Sequence, residues 1–67
     1  MNYPDWQVRQ IAQELLKIER ALETSSDIRQ FEAQCGALVS HSMVLGIPWE
    51  VVLWTRDSIV ESGVQIF

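Results

Sequence analysis

Gly46-Ile47-Pro48-Trp49-Glu50-Val51-Val52-Leu53-Trp54-Thr55-Arg56-Asp57-Ser58-Ile59-Val60 reads as a turn that runs straight into a helix. Gly46 suits the left-handed stop of a preceding helix, and Pro48 suits the first turn of the next, where its missing N–H would have no partner. At about 100° per residue, Trp49, Val52, Leu53, Ile59 and Val60 fall within about a third of the helix circumference, while Val51 and Trp54 fall on the far side. One apolar face serves the chain's own core. The other predicts a surface that meets a partner, because tryptophan is over-represented at the energetic centres of interfaces.

Working outward, the segment before the turn is also helical. Ile28, Phe31, Cys35, Leu38, Ser42 and Leu45 recur at 3-4-3-4-3 spacing, with Val39 widening the stripe, so a second helix is expected over about 27–45. Asp27 followed by Gln30 is a variant of the capping box, with Ser25 and Ser26 as competing caps. Further upstream, Val8, Ile11, Leu15, Ile18 and Leu22, with Ala12 and Leu16 beside them, predict a first helix over about 3–23. Asn2 is placed to cap it, and Asp5 to interact with its dipole. The third helix runs over about 48–62, Gly63 ends it, and Val64-Gln65-Ile66-Phe67 remains as an apolar tail. Short connections imply antiparallel neighbours. The expected fold is therefore all-α, a single domain over 1–67: a small three-helix bundle, or a helical hairpin plus a third helix, completed by dimerisation, with the second helix packed centrally.

Size argues for such completion. A chain of 67 residues buries only roughly 60% of the surface that its unfolded form exposes. One cysteine, Cys35, excludes an intramolecular disulfide, and one histidine, His41, leaves a zinc site short of nitrogen and sulfur ligands. Oligomerisation is the remaining remedy for a small core. Five basic against nine acidic residues give a net charge of −4, which opposes attraction to phosphate backbones and disfavours nucleic acid as a partner. No secretory signal opens the sequence. The most apolar window, Met43–Trp54, spans 12 residues and carries Gly46, Pro48 and Glu50, against the ~20 apolar residues of a membrane span. A cytoplasmic setting with no membrane association is the expectation.

Catalysis lacks its constellation. Cys35 and His41 sit six residues apart on one helix, about 240° around its axis, and cannot form a nucleophile–base pair within the chain. No Gly-rich phosphate loop, HExxH pair or paired-cysteine motif is present. The expectation is a chain that is not an enzyme and takes no cofactor or metal.

Binding has better candidates. Trp6, Val44, Val51 and Trp54 form the outward apolar set, and Glu50, Asp57 and Glu61 lie within about 40° of one another beside Trp54. An acid-rimmed aromatic anchor of this kind fits a partner with a basic surface; a solvated charged face is the plain alternative. Two charges interrupt the inner stripes, Glu19 between Leu15 and Leu22, and Arg56 between Leu53 and Ile59. Either they pair, within one chain or across a dimer, or their aliphatic stems lie along the core edge with the charged heads in solvent. Gly36, in the middle of the second helix, costs roughly 1 kcal/mol relative to alanine. Close approach of another helix or a tryptophan ring would compensate; a merely tolerated glycine is the other reading.

Ser42, Gly46 and Val52 resemble the small-residue, turn-glycine and buried-aliphatic spacing of the helix-turn-helix family. The resemblance covers residues about 38–57 and implies a DNA-associated transcriptional regulator or antitoxin with the third helix as its reader. That helix would offer Glu50, Val51, Trp54 and Asp57 outward, with Arg56 as its sole cation, itself on the inner side. Phosphates would repel such a surface. The sequence thus points first to a small protein-binding protein, a regulator, adaptor, inhibitor or assembly factor, acting as a homodimer or on a protein partner through the third helix and the C-terminal tail.

Overall fold

Three helices form: α1 (Asp5–Ser25), α2 (Ile28–Val44) and α3 (Trp49–Ser62), in a computed structural model that describes residues 3–63. Each follows from its apolar period, and each end has a local cause. Pro4, extended at ψ 150°, occupies the N-cap position of α1; the expected cap, Asn2, lies outside the described residues. Ser26 closes α1 at φ 57°, and its N–H donates to Leu22 O, the single-bond left-handed cap. Asp27 caps α2 by accepting from the Gln30 backbone N–H at 3.1 Å.

Between α2 and α3, Gly46 stands at φ 76°. Its N–H donates to Met43 O at 3.0 Å, and the Ile47 N–H donates to Ser42 O at 2.8 Å. These are the two bonds of a Schellman stop, and the residue just past the glycine, Ile47, is buried as that motif favours. Pro48 sits at the N-cap of α3, one position earlier than expected, and Gly63 ends α3 at φ 72°. The chain direction turns by 116° between α2 and α3. The expectation that short connections make antiparallel neighbours fails at this turn. The Schellman geometry and the proline cap fix an exit angle that chain length alone does not.

Among the described residues the core is Val8, Ile11, Ala12 and Leu15 of α1, Ile47 of the turn, and Val52 and Ile59 of α3, with Ser42 as the one buried polar residue. Four of these seven apolar residues come from α1, which packs against both other helices, whereas α2 and α3 touch each other little. The central helix is therefore α1, not α2 as expected. The steep turn carries α3 away from α2 and across α1. Consequently the stripe of α2 is only half covered: Phe31, Cys35, Leu38, Val39 and Leu45 are half-buried, Ile28 is exposed, and Ser42 alone is fully enclosed.

The phase of α3 departs from the wheel in two members. Val60, expected inside, is 60% exposed, and Val51, expected outside, is half-buried against the core. A helix that crosses its partner buries its central line, Val52 and Ile59, and leaves both flanks half open. Nothing lies within 4 Å of a Cβ built on Gly36, so among the described residues no helix or tryptophan closes over that glycine.

Candidate functional site

Because α3 crosses α1, two open grooves flank it. The first lies toward the start of α1. It is lined by Tyr3, Asp5, Val8 and Arg9 on one side, and by Val51, Trp54, Thr55, Ser58, Ile59 and Ser62 on the other, and offers about 750 Å³ of space open to solvent. That volume is within the range of sites that bind ligands or partner side chains. The groove exists because α3 presents small residues there: Thr55, Ser58 and Ser62, at i, i+3 and i+7, leave space where bulky residues would have filled the contact with α1. Two of these hydroxyls are turned back on their own helix. Thr55 Oγ1 donates to Val51 O at 2.8 Å, and Ser62 Oγ donates to Ile59 O at 3.0 Å. Both hydroxyl protons are engaged locally, so the wall combines aliphatic surface with hydroxyl oxygens that can still accept, together with the Ser58 hydroxyl.

Trp54 stands at the outer edge of this groove and is 66% exposed. Around α3 from the core outward, Thr55 and Val51 come first, then Ser58, then Trp54, then Glu50 and Glu61, with Asp57 beyond. All three acids are exposed. Trp54 therefore separates an apolar groove from an acidic face, and the acids border only one side of the ring.

The second groove lies on the opposite flank. It is lined by Leu16, Glu19, Arg20, Glu23, Arg56, Asp57, Val60 and Glu61. Arg56 organises it: Nη1 donates to Glu19 Oε2 at 3.0 Å, while Nε and Nη2 donate to Asp57 Oδ1 at 3.1 and 2.8 Å. The Arg56 and Glu19 side chains are 24% and 34% exposed. Sharing by two carboxylates, led by the Asp57 hydrogen bond and working against partial burial, holds the guanidinium above its ordinary pKa. Glu19 and Arg56 are joined within one chain across the α1–α3 contact.

The remaining sites are scattered. Trp6 is exposed on α1, and Val44, 84% exposed, is at the far end of α2; neither lines the Trp54 groove. Val51 belongs to the groove as a floor residue, half-buried, rather than as a free anchor. Cys35 packs against the core, and burial, with the nearby charge of Glu19 adding to it, pushes its thiol above the ordinary value. His41 is exposed.

The sequence reading missed Tyr3, Asp5, Val8 and Arg9 as one wall of a groove. The available signal was the Thr55–Ser58–Ser62 spacing, a strip of small polar residues beside Trp54. Among the described residues no three histidine, cysteine or carboxylate groups converge as a metal-ligand set, and no single helix is long and apolar enough to cross a membrane. Comparison with protein-family models, curated proteins and solved structures finds no match for this chain.

Proposed function

We propose that this chain is a non-enzymatic protein-binding protein, of the regulator, adaptor, inhibitor or assembly-factor kind, and that it acts by occupying a partner's surface through α3. The observation that carries this reading is Trp54, an exposed indole at the edge of a groove of about 750 Å³ floored by Val8, Val51 and Ile59. Glu50, Asp57 and Glu61 form the polar rim. Homodimerisation belongs to the same reading and falls to α2, whose far end exposes Met43 and Val44. The test is affinity capture from native cell extract with wild type and Trp54→Ala, each checked for helicity by circular dichroism. A partner held by the wild type and lost by a folded Trp54→Ala supports the reading; identical capture by both removes Trp54 from it.

A second reading has one observation in its favour. The 116° turn, the left-handed Gly46, and the full burial of Ser42 and Val52 match the geometry expected of a helix-turn-helix. Against DNA binding stands the occupied state of Arg56, the sole cation of α3, which already serves Glu19 and Asp57. Fluorescence anisotropy with mixed duplex DNA at low salt separates the readings: tight, salt-sensitive binding would favour DNA.

A further inference from the structure

We infer that the groove between α1 and α3 receives a basic amphipathic helix of a partner protein, with its apolar face on Val8, Val51 and Ile59 and its cationic flank across Trp54. This rests on the protein-binding reading and specifies the partner's chemistry.

Three features select that occupant. The groove is walled by helices, whose backbone groups are already paired within them, so an extended peptide finds no strand edge to join and a helix laid in by its side chains is the fitting mode. The floor offers Val8, Val51 and Ile59 as apolar surface, and beside it the Thr55 and Ser62 hydroxyls donate back to Val51 and Ile59. The outer margin is acidic. α3 carries Glu50, Asp57 and Glu61 against Arg56 alone, and Arg56 is engaged by Glu19 and Asp57. Glu50 and Glu61 thus remain to attract cations just beyond the indole, and a lysine or arginine passing over Trp54 toward them gains a cation–π contact as well. At the groove's other wall Asp5 and Arg9 carry opposite charges and contribute no net sign.

The same charges argue against other occupants. A second copy on this face would bring two identical acidic margins, each carrying Glu50 and Glu61, into one two-fold contact with no net positive charge to balance them. The chain's own Val64-Gln65-Ile66-Phe67 contains no cation to meet the acids.

The test uses a labelled synthetic helical peptide with leucine at i, i+3, i+4 and i+7 and lysine elsewhere, and a control with glutamate in place of lysine, titrated with the full chain by anisotropy. The Leu/Lys peptide is expected to bind and the Leu/Glu peptide not. Trp54→Ala and the groove-filling Ser58→Arg should each weaken binding at least about ten-fold. Glu50→Lys with Glu61→Lys should invert the peptide preference, whereas Glu14→Lys with Glu32→Lys, the same charge change on exposed positions of α1 and α2, should not. Equal loss from both reversals would show mere charge attraction and overturn the inference. So would undiminished binding to Trp54→Ala or Ser58→Arg. Tighter binding of both peptides after removal of residues 64–67 would identify the chain's own end as the occupant, and a dimer abolished by Trp54→Ala would identify a second copy; either overturns it. Failure of the peptides while Trp54-dependent capture from extract persists would overturn the basic-helix inference alone.

Discussion

At the scale of single residues, Arg56 and Glu19 show how much a misfit on a helical stripe reveals. Each was legible as a charge on an inner line, and the crossing of α3 over α1 brings them to 3.0 Å. The third member, Asp57, was not legible, because neighbours at i and i+1 point apart on a helix; only the length of the arginine stem lets its guanidinium return to Asp57 at 2.8 Å. A pair this open to solvent lies between the surface and buried limits. A double-mutant cycle of Glu19→Ala and Arg56→Ala is expected to give a coupling of about 1 kcal/mol at low salt, shrinking in 1 M NaCl, where screening acts over about 3 Å. Cys35 makes the pH-dependent prediction at this scale. Its thiol pKa is raised in the folded chain, so the native state holds the proton longer than the unfolded state. The contribution is complete below the ordinary thiol value of about 8.5 and is lost as pH rises through the raised one. Thermal melting should therefore show a steeper alkaline decline for wild type than for Cys35→Ala, and iodoacetamide at neutral pH should react with Cys35 more slowly than with free cysteine. Parallel melting profiles would remove the thiol from the account.

At the scale of elements, the helices were legible to within two residues at each end, because period, caps and stops agree in the sequence. Their burial was less so. The stripe of α2 marks a side that is apolar, but no spacing within α2 reports that α3 turns away by 116° and leaves that side half covered. The wheel of α3 likewise placed Val60 inside, since a wheel treats the buried face as continuous along the axis, and a crossing helix has no such face. The caps and glycines give stability predictions that belong here. Gly36 lies in α2, with only open space around a built Cβ, so Gly36→Ala should stabilise by about 0.5–1 kcal/mol. At about 4–8 °C per kcal/mol for a domain of this size, the gain is measurable by thermal melting. An unchanged or lower midpoint would show that the glycine face is occupied in solution. Gly46 is the opposite case. At φ 76° it holds the Schellman stop, and Gly46→Ala should cost about 1–2 kcal/mol.

For the whole molecule, the placement of α1 at the centre decides which surfaces remain for partners. With α1 covered on two sides, it keeps one exposed face, which carries Trp6, and the other free faces are the outer side of α2 and the outer side and flanks of α3, which differ in charge. The α3 side is acidic around Trp54 and so opposes a second copy. The end of α2 is different: among the described residues Met43 and Val44 are the two most exposed large apolar side chains, at 72% and 84%, and the acid of α2, Glu32, lies in its other half. On the proposed reading the two surfaces take two kinds of association, self-association on α2 and a basic partner on α3. Sedimentation equilibrium over micromolar concentrations separates them. The wild-type mass is expected to rise from 7.7 kDa toward twice that value. Val44→Glu should return it to the monomer, by placing a charge where the apolar contact forms, and Trp54→Glu should leave the rise unchanged. If Trp54→Glu abolishes the dimer instead, α3 is the self-association face and the separation of roles is wrong. If the wild type stays at the monomer mass throughout, self-association is excluded in that range, and the exposed apolar residues of both helices must be assigned to external partners.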